Sequence, residues 1–169
     1  SNSTLSFANF SDSIFNNSEF INIIFLETNI NDTNFLNSKF KNTVIKDQLL
    51  KNVSFIDSEM DLMNFELVEV KNILIENSSL IGANLKSAKF SNSKIINTNM
   101  EGTVLTDAKI TNTDLIGVNL KGANLENATL TNVDLTNSNL EQVNIINLKL
   151  EGVIFCNTVM PSGIRNDQC

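Results

Sequence analysis

The chain has 169 residues and contains no His, no Trp and no Tyr, a single Pro (Pro161) and only two Cys. Without His it lacks the usual neutral-pH base and the commonest metal ligand. No nucleophile–base pairing can be drawn from the residues that remain. Cys156 and Cys169 match no CxxC spacing of a redox or zinc site. The six Gly fall at turn positions, and no glycine-rich phosphate loop appears. The sequence therefore predicts no catalytic residues, no metal, no cofactor and no enzyme. Charge is short on the positive side, with 12 Lys and Arg against 19 Asp and Glu, a net −7. That excludes the basic footprint of a nucleic-acid binder and disfavours adhesion to anionic membranes. No run of about 18 apolar residues exists, so no membrane insertion is expected, and no segment reads as a signal peptide.

What the chain does contain is a repeat of five. Every fifth residue from Leu5 to Met160 is Leu, Ile, Val, Met or Phe, at all 32 positions, and ten of the 11 Phe fall on this series. With 41% apolar residues overall, chance does not produce such a run. Two residues before each sits Ala, Ser, Thr or Val in 27 of 32 cases; the exceptions are Ile23, Gln48, Met63, Ile73 and Leu148. A third position, at residues 2, 7, 12 and onward, is Asn, Asp or Gly in 26 of 32 cases. The register never slips between Ser1 and Met160, so the chain divides into a repeat domain, 1–160, and a short tail, 161–169.

A period of five fits neither a helix nor a strand. One large apolar residue inward every five residues demands a corner after each short extended piece. Asn, Asp and Gly tolerate the positive φ that such a corner requires. Four sides per coil would close a square of 20 residues and make residues 20 apart neighbours. Outward charges then alternate in columns: Lys46, Glu66, Lys86; Glu19, Lys39, Glu59; Glu101, Lys121, Glu141. Opposite charges on neighbouring strands contribute about 0.2–1 kcal/mol each. Phe15, Phe35 and Phe55 would form an internal ladder.

The triplets Ala83-Asn84-Leu85, Ala123-Asn124-Leu125 and Val133-Asp134-Leu135 resemble the A-(D/N)-L core of the pentapeptide-repeat family. The resemblance covers residues 1–160 and implies an all-β fold, a right-handed quadrilateral parallel β-helix of about eight coils with a short C-terminal cap. The tail Phe155-Cys156-Asn157-Thr158-Val159-Met160-Pro161-Ser162-Gly163, with Cys169 last, is similar to the F-C-N-T-x-M-P-D-G ending of cyanobacterial and plant thylakoid-lumen members. Ser162 replaces the usual Asp. That ending implies residence in the thylakoid lumen, the periplasm or another extracytoplasmic space; the alternative is the cytoplasm.

Three groups of residues become candidates. Cys156 and Cys169 are read as a structural disulfide tying the tail over the last coil, the alternative being two free thiols in a reducing cytosol. The outward column Leu36, Ile56, Ile96 and Ile116, interrupted by Glu76, is a candidate partner face, the alternative being side chains packed flat on the coil. The acidic residues Asp57, Glu59, Asp61, Glu66, Glu69 and Glu76 suggest a DNA-mimicking patch, as in family members that protect or inhibit DNA gyrase; the alternative is ordinary surface charge among Lys46, Lys51 and Lys71. The function expected is a monomeric structural or protein-interaction scaffold whose partner the sequence does not name.

Overall fold

The computed structural model describes residues 3–167 and 169. It consists of short strands, with no helix among the described residues, wound into a right-handed quadrilateral β-helix. Each β-bridge within the rod is parallel and joins residues 20 apart, as at Leu5↔Phe25, Val70↔Phe90, Phe35↔Phe55 and Phe20↔Phe40. The period of five thus closes a square of four sides. The first face carries the inward residues Leu5 to Ile145, the second Phe10 to Leu150, the third Phe15 to Phe155 and the fourth Phe20 to Met160. On the first face the bridges step through residues 4, 24, 44, 64, 84, 104, 124 and 144. At about 4.8 Å per step these seven steps span roughly 34 Å. Coils are numbered here by successive blocks of 20, coil 1 being residues 1–20.

The corners explain the third position of the repeat. Every corner position from Phe7 to Asn157 has positive φ. From Met60 onward the first and fourth faces close their corners with a main-chain hydrogen bond, as from Ala83 N–H to Leu80 O (3.0 Å) and from Ala88 N–H to Leu85 O (3.1 Å). With positive φ at the third residue these are type II turns. Asn side chains at successive corners donate to one another along the rod, Asn72 to Asn52 and Asn132 to Asn112, both at 3.0 Å.

Central residues from Phe25 to Leu140 are all buried. Phe15, Phe35 and Phe55 stack with centroids 5.2 and 5.0 Å apart and rings within 9° of parallel. Across the corner Phe35 meets Phe40 edge-on at 5.2 Å. The small residues fill the space beside these rings and satisfy inward carbonyls: Thr33 Oγ1 donates to Phe10 O and Thr28 Oγ1 to Leu5 O, both at 2.7 Å. Among the described residues no buried side-chain N or O lacks a partner.

The rod ends differently on its two sides. After Met160 the chain reverses, and Thr158–Met160 pairs antiparallel with Gly163–Arg165. This hairpin lies over the third face, where the Arg165 guanidinium stands 3.9 Å from the Phe155 ring centroid. Phe155 is buried as a result, whereas Ile145 and Leu150, central residues of the same coil, remain 45% and 41% exposed.

Candidate interaction surface

Within the rod the inward positions are filled by apolar and small side chains, so only its outer faces can meet another molecule. The structure places the column Leu36, Ile56, Glu76, Ile96 and Ile116 on the third face, in register one above another. All five are half-buried. Each lies directly after an inward residue, beside the neighbouring rungs, which cover part of its surface.

The six acidic residues are not brought together. Asp57 occupies the corner between the third and fourth faces, and Glu59 and Asp61 lie on the fourth. Glu66, Glu69 and Glu76 fall on the first, second and third faces respectively. Several are engaged: Lys39 pairs with Glu59 at 3.2 Å, and Lys71 pairs with Glu69 at 3.0 Å. Asp61 accepts hydrogen bonds from Ser79 Oγ and from Ile81 N–H. The hydrogen bond and charge of Lys71 hold the Glu69 carboxyl below the ordinary carboxylate value. The Glu141 carboxylate, 2.9 Å from Lys121, raises that ammonium above its usual value. Both pairs are solvent-exposed and contribute little to stability. Among the described residues no cluster of His, Cys, Asp or Glu could hold a metal ion.

Cys156 and Cys169 are joined as a disulfide, with Cα atoms 4.9 Å apart and a sequence separation of 13. The link fastens the end of the tail to the last coil beside Phe155.

Two irregularities in the ladder flank the first face. Gln48 occupies a position that nearly everywhere holds a small residue. Its carboxamide performs both tasks of a Ser or Thr there: Nε2 donates to Phe25 O at 2.6 Å, and Oε1 accepts from Thr28 N–H at 3.0 Å. The main-chain ladder is interrupted beside it. Among the described residues no bridge joins Asn29 to Leu49, and Lys51 N–H turns to Asn31 Oδ1 instead, at 2.8 Å. On the other side of Gln48, along coils 3 to 5, lies a concavity of about 290 Å³ lined by Asp47, Gln48, Leu49, Leu67, Glu69 and Lys89.

The second irregularity marks a change of corner. On the fourth face the first coils run as strands, Glu19–Ile21 and Lys39–Lys41. Met60 to Met63 then closes as a tight turn, Met63 N–H donating to Met60 O at 3.3 Å. On the first face the same change occurs at Phe65, where Val68 N–H donates to Phe65 O at 3.2 Å. Beside the first of these turns a groove of about 430 Å³ lies along Ile21, Lys39, Lys41, Glu59, Asp61 and Leu62. The positive-φ residues of these two turns are Leu62 (φ 58°) and Leu67 (φ 60°), 71% and 53% exposed. The left-handed conformation costs a residue such as Leu about 1–2 kcal/mol, and side chains this exposed offset little of it by burial. Sequence reasoning passed over both; their signal is that they break the Asn, Asp or Gly rule at a corner.

The family profile for pentapeptide repeats matches residues 3–42, 83–122 and 119–157, in eight copies. No curated protein gives a significant match. Among solved structures, QnrB1, a plasmid-mediated fluoroquinolone resistance protein, superimposes with a TM-score of 0.64 at 21% identity, covering 89% of this chain and 90% of its own. HetL, a pentapeptide repeat protein involved in heterocyst differentiation regulation from Nostoc sp. strain PCC 7120, gives 0.45 at 16% identity, covering 95% and 90%. A pentapeptide repeat protein from the Arabidopsis thaliana thylakoid lumen gives 0.38 at 24% identity over 57% and 63%. With the family profile covering more than half of its length on an unbroken five-residue register, this chain belongs to the pentapeptide-repeat family.

Proposed function

We propose that this protein is a non-enzymatic scaffold that binds other proteins through its outer faces and works outside the reducing cytosol. The observation that carries the reading is the rod itself: the interior is filled by side chains, while four faces present ordered columns of side chains at a fixed step. Proteins of this family are in general structural or interaction proteins, which agrees with it. The Cys156–Cys169 pair supports extracytoplasmic residence, as does the likeness of the tail to lumenal members. The division into a rod, 1–160, and a capping tail, 161–169, and the use of the Leu36, Ile56, Ile96 and Ile116 column as a partner face, belong to the same proposal. Alkylation of the denatured protein, taken from its native compartment without reductant, tests the location. No thiol should be modified; two modified thiols would place it in a reducing space.

A second reading, a DNA-mimicking inhibitor or protector of DNA gyrase, is favoured by the fold likeness to QnrB1. The scatter of the six carboxylates around four faces weighs against a single patch. A supercoiling assay with the oxidised protein decides. Dose-dependent inhibition at micromolar protein would establish the gyrase reading, and no effect would retire it.

A further inference from the structure

The large apolar side chains left exposed away from the rod ends are not spread evenly. Ile21, Leu26, Leu49, Leu62, Leu67 and Ile81 are all exposed, and all lie within two residues of the two corners that bound the first face. Ile24 and Val44 between them are half-buried. The two concavities described above open on the neighbouring fourth and second faces, one reaching the corner at Leu62 and the other the corner at Leu67. Two residues are held there in a costly backbone conformation with their side chains in water, a combination that weakens the free protein and is expected where a surface serves recognition.

Charge indicates what covers it. Along the first face of coils 2–4 and its two corners stand Glu27, Asp47 and Glu66 against Lys46, an acidic band of net −2. A second copy of this chain would set that acidic band against its like, and an anionic lipid surface would be repelled by it. We propose that the first face of coils 2–4, gripped at its edges by Leu62 and Leu67, is a docking site for a basic protein segment that offers apolar side chains. The proposal rests on the scaffold reading and names where and what the scaffold binds.

The test uses the full oxidised chain with methyl-labelled leucine and isoleucine, titrated with three synthetic peptides of equal length. One carries two leucines among lysines, one has glutamate for every lysine, and one has serine for every leucine. The lysine–leucine peptide should shift the Leu62 and Leu67 methyl signals, leave those of Leu36 and Ile116 unmoved, and bind at least ten-fold more tightly than either control. Leu62→Asn with Leu67→Asn should weaken that binding at least ten-fold while raising the thermal midpoint, since Asn suits the corner. A purely structural role for the leucines would instead lower the midpoint and leave binding unchanged. Equal binding of the serine peptide, shifts confined to Leu36 and Ile116, or unchanged affinity of the double variant would each overturn the proposal. So would sedimentation showing a dimer of the unmodified chain that Leu67→Asn dissolves, because the occupant would then be a second copy. Shifts at Leu36 and Ile116 alone would leave the scaffold reading standing with its partner on the third face.

Discussion

Leu62 leans over Gly82, its Cδ2 only 2.8 Å from where a Cβ on Gly82 would stand. The two occupy the same corner one coil apart, and both have positive φ, 58° and 63°. Gly82 therefore answers two demands at once, a left-handed corner and the approach of a leucine from the coil before it. Gly82→Ala should destabilise by about 2 kcal/mol. Gly102→Ala, at the same corner one coil further on with open space around it, should cost only the backbone part, about 1 kcal/mol. Chemical denaturation of the two variants compares them, and equal losses would show that the Leu62 contact contributes nothing.

Gln48→Ala should leave Thr28 N–H and Phe25 O unpartnered beneath the second face, at a cost of about 1–3 kcal/mol. Gln48→Thr places a hydroxyl where many other coils have one, so it should recover most of the loss. Amide exchange read at Thr28 and Ile30 reports the seam directly. Faster exchange is expected in the Ala variant and slower exchange in the Thr variant.

Cys156→Ser should lower stability by about 3 kcal/mol, the chain-entropy value for a closed loop of this size. A reductant should cost the native protein the same and the variant nothing. Because only the tail is freed, near-ultraviolet signals from the phenylalanine stack around Phe35 should persist at temperatures where the hairpin has already opened.

With no His, the chain has no side chain whose ordinary pKa lies between those of the carboxylates and cysteine or the amines. Stability should be flat from about pH 6 to pH 9. Glu69 has a folded value below its ordinary 4.5, so its contribution is present above that value and is lost as pH falls through the folded one. Lys121 has a folded value above 10.5; its contribution is present below 10.5 and disappears as pH rises past the folded value. Thermal midpoints across pH 3–12 check both signs.

The inward residues, the corners and the stacking of Phe15 on Phe35 on Phe55 were legible in the sequence because each is imposed at every repeat. Five-residue spacing sets which side chain faces in, and a corner of positive φ admits few residue types. The charge columns were legible for the same reason, and Lys39–Glu59 and Lys121–Glu141 do pair. The acidic stretch from Asp57 to Glu76 reads as a cluster along the chain, yet 20 residues make one full circuit, so neighbours in sequence are carried to different faces. Leu36, Ile56, Ile96 and Ile116 do share a column, but exposure depends on how far neighbouring rungs cover each side chain, which spacing does not express. Gln48 looked like a lapse in the pattern. Its length lets an amide do the work of a hydroxyl, and only its hydrogen-bond partners reveal it. Leu62 and Leu67 went unnoticed because leucine inside an apolar repeat attracts no attention until its backbone is seen.

The tail hairpin has a mechanical consequence. Between Ser3 and Met160 the covalent chain runs around the rod, while the hydrogen-bond ladders run along it. Tension applied at the two ends therefore loads the ladders one rung after another, as a zipper is opened, rather than all together in shear. Each coil released would yield about 65 Å of slack chain from its 20 residues. With Cys156 bonded to Cys169, a pull on the last residue bypasses the hairpin and takes hold at the third face of the final coil. From the other end, peeling would reach the side-chain-stitched seam between Thr28 and Gln48 after a single full coil, and that seam should yield at a lower force than the rungs beyond it.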